Sequence, residues 1–165
     1  MSLASVRAHL AAVAPDLTVL ETEASSATVA LAAEAHGVEP ARIAKTLSLR
    51  VGDRVMLVVA RSDARLDNRK VKAAFGGKAR MPGPEEVEAL TGHPVGGVCP
   101  FGLVSPLPVY CDVGLRAFDE VVPAAGSPNS AVRLSPDRMA ALTGAEWVDV
   151  CQEAGREADK GADEA

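Results

Sequence analysis

The sequence predicts an α+β fold built on a mainly antiparallel, curled mixed sheet that helices surround. Two apolar runs of strand length, residues 43–51 and 55–60, are separated by the tight connection Gly52-Asp53, which is typical of a β-hairpin. Helical and strand patterns are interspersed along the chain without a regular β-α-β rhythm, and two further short apolar runs flank residues 126–129. These features favour hairpins packed against helices.

The segment before the first hairpin predicts two helices. Residues 3–13 carry apolar side chains at helical spacing, and a short extended stretch follows at residues 17–21. Ser25 or Ser26 is expected to cap a second helix, which Gly37 ends.

Capping signals predict two more helices after the hairpin. Asp67 is expected to cap a basic helix that runs to Phe75, and Pro84 stands at the first position of a helix that ends near Gly92. A loop rich in glycine and proline, residues 94–108, follows.

The C-terminal part predicts strands and one helix. A strand is expected at residues 109–113, and a second hairpin is expected from residues 121–125 and 131–134. Ser135 then caps a last helix, and residues 147–151 form a closing strand.

The composition predicts one folded domain, residues 1–152, and a disordered acidic tail, residues 153–165. The chain has 165 residues, 48% of them hydrophobic, which is enough for one core. The tail is rich in alanine, glycine and charge, and it cannot bury enough apolar surface to stay ordered. No apolar run approaches the length of a membrane helix, so we expect a cytoplasmic protein without a membrane partner.

The cysteines and histidines do not predict a metal site. Cys99, Cys111 and Cys151 are widely spaced, no C-x-x-C pair occurs, and the three histidines are scattered. We expect no metal and no other cofactor.

Basic residues are concentrated in one stretch of an acidic chain. The net charge is -5, but residues 61–80 hold seven basic and two acidic side chains. Within that stretch, Arg69, Lys70 and Lys72 lie on the predicted basic helix, where they could contact phosphates. The alternative is an ordinary solvated helix face.

Lys45 stands on a strand face where a lysine is costly. Side chains alternate along a strand, so Lys45 shares a face with four apolar residues, which are Ile43, Leu47, Leu49 and Val51. An ammonium on an inward face must be paired, reach a cleft or lose its proton. The functional interpretation is a cation in a pocket, and the alternative is a lysine that reaches water from the end of the strand.

A glycine-rich loop is the second unusual element. Its residues are Gly96, Gly97, Val98, Cys99, Pro100, Phe101 and Gly102. Such a loop brings backbone groups close to a ligand and can stabilise an oxyanion, although a tight structural turn is the alternative. It matches neither the phosphate-binding P-loop pattern nor a nucleophile elbow.

Three segments together resemble the YbaK/ProX family of aminoacyl-tRNA deacylases, which also occur as the editing domain inserted in bacterial prolyl-tRNA synthetases. They are Ile43-Ala44-Lys45-Thr46-Leu47, Leu66-Asp67-Asn68-Arg69-Lys70 and Val95-Gly96-Gly97-Val98-Cys99-Pro100-Phe101-Gly102. The resemblance covers residues 17–150. It implies hydrolysis of the ester of mischarged aminoacyl-tRNA without metal, with tRNA as partner and an aminoacyl-tRNA synthetase as a further candidate partner.

The resemblance also implies site residues. Lys45 matches the family's essential lysine, and Gly96 to Pro100 match the loop that embraces the amino-acid end of the substrate. Gly126 and Ser127 correspond to a further pocket-lining turn, and Thr22 and Thr28 lie in the region that contributes to the amino-acid pocket. Water or a substrate group attacks the ester. Thr46 replaces the asparagine of some alanine-specific relatives, so cysteine, alanine, serine and threonine all stay open as the amino acid removed.

Two alternatives belong to other classes. The chain could be a catalytically silent module that binds aminoacyl-tRNA or an amino acid. It could also be an unrelated hydrolase that uses the thiol of Cys99, although no histidine is an obvious base for that thiol in the sequence.

Overall fold

The computed structural model describes residues 2–22, 28–93, 98–127 and 129–152. The helices in these ranges are α1 (Ser2–Val13), α2 (Val29–His36), α3 (Asn68–Phe75), α4 (Pro84–Thr91) and α5 (Pro136–Thr143). The strands are β1 (Leu20–Glu21), β2 (Ile43–Val51), β3 (Arg54–Arg61), β4 (Val109–Asp112), β5 (Val122–Pro123), β6 (Ser130–Ala131) and β7 (Glu146–Val148). None of the described helices has the length and apolar character needed to cross a bilayer.

The main sheet is mixed and has the strand order β5-β2-β3-β4-β7. Its longest pairing is the antiparallel hairpin of β2 and β3, which runs from Ala44↔Arg61 to Val51↔Arg54. The other neighbours in this sheet pair in parallel, and a separate antiparallel pair joins β1 to β6. The predicted α+β class with a curled mixed sheet is confirmed. The sheet is less antiparallel than predicted, because three of its four described pairings are parallel, although the antiparallel β2–β3 pairing is the longest.

The first hairpin forms where the sequence predicts it. Gly52 has a φ of 60°, which glycine adopts without steric cost, and the two-residue turn sets the register of the strands. The predicted boundaries of these two strands agree with the structure to within one residue.

Apolar clusters cover both faces of the main sheet. One cluster packs Leu49 and Val51 of β2 against Val71 and Phe75 of α3. The other packs alternate residues of the sheet, such as Ala44, against α1, α5 and the segment that holds Cys99 and Phe101. The face that carries Leu49 and Val51 is thus covered, as expected, and the opposite face is covered as well, because Ala44 there is 3% exposed.

Capping explains most helix boundaries. The side chain of Asp67 accepts from the backbone N–H groups of Arg69 and Lys70 at the start of α3, as predicted. Ser135 caps α5 in the same way. The cap of α2 is Thr28, whose hydroxyl accepts from Leu31 N, so the prediction of Ser25 or Ser26 is wrong; both serines lie outside the described residues.

Several strands are shorter than predicted. The predicted strand 109–113 ends at Asp112, whose carboxylate accepts from Gly114 N and starts a 3₁₀ turn over Val113–Ala117. The second hairpin persists as isolated antiparallel bridges, Val121↔Leu134 and Ala124↔Ala131, while its short strands pair with β2 and β1. The predicted tail, residues 153–165, lies outside the described residues.

Candidate functional site

Strand β2 leaves part of one edge open. It pairs with β5 only at Ile43 and Ala44, and farther along the strand Arg50 exchanges backbone hydrogen bonds of 2.8 and 3.0 Å with Arg80. Within the described ranges, no strand pairs with this edge between those two points. Backbone groups alternate in direction along a strand, so those of Thr46 and Ser48 face the same side as those of Arg50, toward the opening.

A cleft of about 370 Å³ lies along this opening. Most of its wall is apolar, and the polar side chains in the lining come from Thr28, Lys45, Thr46, Ser48 and Ser130. The remaining lining residues come from α2, β2, the segment around α4, Val98 and the second hairpin; they are Val29, Ala32, Ile43, Ala44, Leu47, Met81, Pro82, Pro84, Val87, Val98, Val122, Ala124 and Ala131. An apolar cleft with a few convergent polar groups is typical of a small-ligand site.

The side chain of Lys45 is half-buried and held by the chain after β3. Its Nζ donates to the carbonyl oxygen of Ala64 at 2.5 Å and to that of Ser62 at 3.4 Å. Asp63, between these two residues, accepts two hydrogen bonds from Arg61. The pKa of the Asp63 carboxyl is lowered mainly by Arg61 and to a smaller extent by Lys45. The ammonium is therefore held by neutral acceptors beside an existing ion pair.

The hydroxyl of Thr46 is the next polar group on β2. Its Oγ1 is buried and has no hydrogen-bond partner among the described residues. Burying an unpaired hydroxyl costs about 1–3 kcal/mol. Thr46 is one of the residues that line the cleft, which makes a ligand bound there a candidate for the missing partner.

Buried hydrogen bonds connect the residues on either side of segment 94–97. His93 is fully buried, and its Nε2 donates to the carbonyl oxygen of Phe101 at 2.7 Å. The thiol of Cys99 lies 3.6 Å from the same Nε2 and also donates to that carbonyl, at 3.7 Å. Val98, which lines the cleft, directly precedes Cys99, so the position of this part of the cleft wall depends on these hydrogen bonds.

The Cys99 thiol has the environment of a structural side chain. Burial raises the pKa of Cys99 to about 12, and the hydrogen bond to Phe101 O only partly opposes this shift. His93 already uses its Nε2 proton on the carbonyl of Phe101. A buried thiol that stays protonated is a poor nucleophile, so the structure does not support the alternative of a thiol hydrolase.

The predicted pocket-lining turn lies behind the cleft. The Ser127 hydroxyl lies within hydrogen-bond distance of Ser130 Oγ, at 2.7 Å, and of Asn129 Oδ1, at 3.0 Å. Asn129 Nδ2 donates to the carbonyl oxygen of Thr22, and Thr22 N donates to that of Asn129. Ser127 thus contacts Ser130, which lines the cleft, and Thr22 is connected to the same turn through Asn129, whereas Gly126, Ser127 and Thr22 are not themselves lining residues.

A basic groove continues from the cleft along β2. It has a volume of about 460 Å³ and is lined by Arg50, Gly52, Lys78, Ala79 and Arg80. Arg50 pairs with Glu86 of α4 at 2.6 Å, whereas Lys78 and Arg80 are exposed. Arg50 lies two residues after Ser48, and Arg80 directly precedes Met81, so the groove and the cleft adjoin.

The three basic residues of α3 that were predicted to contact phosphate differ in their environment. Arg69 and Lys72 are exposed. The Nζ of Lys70 donates to Asp149 Oδ1 and to the carbonyl oxygen of Cys151, both at 3.0 Å. Lys70 therefore fastens α3 to the C-terminal part of the domain, which leaves Arg69 and Lys72 as the better candidates for phosphate.

The structure brings together part of the predicted site. Lys45, Thr28 and Val98 line the cleft, Cys99, Pro100 and Phe101 are buried behind it, and Gly96 and Gly97 lie outside the described residues. Sequence reasoning missed Ser48, Met81, Ser130 and the residues of α4. In the part of the chain that the structure describes, no three metal-ligating side chains cluster.

Comparison with known proteins gives consistent matches. The sequence profile of the family described as "Aminoacyl-tRNA editing domain" matches residues 23–142. The uncharacterized protein YwhH of Bacillus subtilis is 50% identical over 93% of this chain and 99% of its own length. EbsC of Enterococcus faecalis, provisionally described as a Cys-tRNA(Pro)/Cys-tRNA(Cys) deacylase, is 31% identical over 72% of this chain and 73% of its own.

A solved structure extends this agreement to the fold. It is a crystal structure provisionally described as a trans-editing enzyme for prolyl-tRNA synthetase. It superposes with a TM-score of 0.86, at 37% identity, over 92% of this chain and 98% of that chain.

The buried histidine predicts a pH dependence of stability. Burial lowers the pKa of His93 below its ordinary value of 6.5, against the opposing hydrogen bond to Phe101, and burial also lowers the pKa of His36. Below pH 6.5 the unfolded chain binds protons that the folded chain does not, so the free energy of unfolding should fall as the pH is lowered from 7.5 to 5. Each histidine contributes at most about 1.4 kcal/mol per pH unit.

Urea unfolding at several pH values measures this slope. His93→Gln should be less stable at pH 7.5 and should show a shallower slope, with the share of His36 remaining. In the wild type, NMR titration should place the pKa of His93 below 6.5. An unchanged slope together with an ordinary His93 titration would contradict the prediction.

Proposed function

Because the chain belongs to the family of aminoacyl-tRNA editing domains, we propose that it is a trans-editing deacylase that hydrolyses the ester of mischarged aminoacyl-tRNA. Its substrate class is a small amino acid, such as cysteine or alanine, on tRNA(Pro) or another tRNA. The observation that carries the proposal is the cleft that opens beside β2, with Lys45 in its lining and a basic groove at its end. Such a protein would work in the cytoplasm, next to tRNA and a synthetase.

The reaction needs little chemistry from the protein. Water is activated by its position in the cleft or by a hydroxyl or thiol of the substrate, and it adds to the ester carbonyl. The bond to the ribose oxygen then breaks, and that oxygen leaves with a proton. The products are a free amino acid and an uncharged tRNA. An aminoacyl ester is already reactive, so positioning and stabilisation of the oxyanion are sufficient for catalysis.

Lys45 and the open edge of β2 fit this task. An ammonium has three N–H donors, and two point at the carbonyl oxygens of Ser62 and Ala64. We assign the third to an oxygen of the substrate ester. The backbone groups of Thr46 and Ser48 are the adjacent donors and acceptors for the amino-acid end.

The size of the cleft and the Thr46 hydroxyl favour a small amino acid. A cleft of about 370 Å³ has to hold the amino acid and part of the ribose. Thr46 Oγ1, buried without a partner in the described residues, suits the α-amino group or a thiol or hydroxyl of the amino acid.

The basic groove fits the phosphates next to the terminal nucleotide. Lys78 and Arg80 are exposed at its edge, and the groove begins where the cleft ends. Arg69 and Lys72 of α3 are a second candidate surface for the acceptor stem. Contacts of this kind are salt-sensitive, which suits a transient substrate.

The first test is hydrolysis of a panel of mischarged tRNAs. The wild type should hydrolyse one or a few of them, and Lys45→Ala should lower kcat/KM about 100- to 1000-fold, as expected when one oxyanion-stabilising donor is lost. Lys45→Arg keeps the charge and should retain part of the activity. Circular dichroism should show that both variants fold.

Two outcomes would contradict this mechanism. Full activity of Lys45→Ala would exclude the assigned role of the lysine. Tight binding of mischarged tRNA by the wild type, with an unchanged ester half-life, would favour a non-catalytic binding module instead.

The Thr46 hydroxyl is tested by an isosteric change. Thr46→Val should lower kcat/KM about tenfold for the preferred mischarged tRNA, because one hydrogen bond to the substrate is lost. The same variant should be more stable by about 1 kcal/mol, because a buried unpaired hydroxyl is removed. Thr46→Ser should keep the activity; if Thr46→Val keeps it as well, Thr46 does not contact the substrate.

Two pairs of substitutions locate the tRNA surface. Lys78→Gln with Arg80→Gln should raise KM for mischarged tRNA. The slope of log KM against log salt should fall by about two, because each of the two basic side chains contacts one phosphate. Arg69→Gln with Lys72→Gln is the matched pair on α3. The pair with the larger effect marks the contacting surface, and no effect of either pair would contradict a phosphate contact at both.

A further inference from the structure

Met81 is an exposed apolar side chain at a defined position of the site. It is 62% exposed, which makes it one of the two most exposed large hydrophobic side chains among the described residues, and it lines the cleft. Arg80, which lines the basic groove, directly precedes it, and Pro82, which also lines the cleft, directly follows. Met81 therefore stands at the junction of the cleft and the groove.

The order of groups in an acylated tRNA end determines what lies at this junction. The amino acid is esterified to the terminal ribose, and the phosphate is on the other side of the same nucleoside. If the amino acid occupies the cleft and the phosphate occupies the groove, the terminal nucleoside lies between them. The Arg50–Arg80 backbone bridge fixes the chain that carries Met81 alongside β2 at this point.

We propose that Met81 is a binding residue for the terminal adenine of the acceptor end. The proposal rests on the proposed function and adds a contact to the nucleobase. The exposed thioether would pack on the base face while Lys45 and Thr46 hold the acylated end. A base must be covered by an apolar or aromatic group to leave water favourably, and methionine sulfur makes favourable contacts with aromatic rings.

The side chain of Met81 differs from its neighbours in being both apolar and flexible. Pro84 and Val87 of α4 line the cleft with Met81, whereas Arg50, Lys78 and Arg80 supply charge to the groove. A long unbranched side chain can adapt to a base at low cost, because its rotatable bonds allow several packing geometries. Its exposure in the free protein supplies apolar surface for a ligand to cover.

Equilibrium binding of uncharged RNA minihelices tests the contact without catalysis. One minihelix ends in adenosine, and a second ends in an abasic nucleotide with the same phosphates. The wild type should bind the adenosine-ended minihelix more tightly. Met81→Ala should raise its Kd about five- to tenfold, because the apolar cover of the base is lost, and should leave the Kd of the abasic minihelix unchanged.

Two control variants sharpen the result. Met81→Leu keeps the apolar volume and should stay within about twofold of the wild type. Val13→Ala shortens an exposed apolar side chain at the end of α1, outside the cleft, and should change neither Kd.

The outcomes separate this proposal from the proposed function. Equal Kd values of the wild type for both minihelices, or an equal effect of Met81→Ala on both, would overturn the role of Met81. Absence of hydrolysis of every mischarged tRNA by the wild type would overturn the deacylase assignment, and the base-dependent change in Kd would still decide the role of Met81.

Discussion

The incomplete pairing of one edge of β2 is the constraint on which the site depends. On its other edge β2 is paired with β3 from Ala44 to Val51, so the strand is rigid. On the open edge, the described residues that pair with it are those of β5 and Arg80, which lie near its two ends. A strand that is fixed on one side and open on the other presents backbone donors and acceptors at fixed positions, as a preorganised site requires.

Most of the local structure could be predicted from the sequence, because its signals are local. Gly52-Asp53, Asp67, Pro84 and Ser135 each act on neighbouring backbone groups, and each predicted element boundary near them is close to the observed one. The parallel pairings of β4, β5 and β7 could not be predicted, because they join segments far apart in the chain. The short second hairpin shows the same limit, since β5 and β6 take partners in other parts of the chain.

The candidate site could be predicted only where the sequence pattern was itself unusual. Lys45 stands out because a charge interrupts an apolar face, and the glycine-rich loop stands out by composition. Met81 and Ser130 carry no such signal, because ordinary residues become part of a cleft only through the fold. The contact between His93 and Cys99 was missed for another reason. A histidine and a cysteine can be structural or catalytic, and only the burial of the thiol in the fold distinguishes the two roles.

The groups around the Lys45 ammonium explain how a charged lysine can act at this site. Sequence reasoning offered pairing, a cleft or loss of the proton, and the structure combines main-chain acceptors with a cleft. The carboxylate of Asp63, the acidic group between the two acceptor carbonyls, is bound by Arg61 with N–O distances of 2.6 and 2.9 Å. Carbonyl oxygens orient an ammonium without cancelling its charge, whereas a bound carboxylate would cancel most of its field. Arg61 thereby keeps Asp63 engaged and leaves the field of Lys45 available for negative charge that develops on a substrate oxygen.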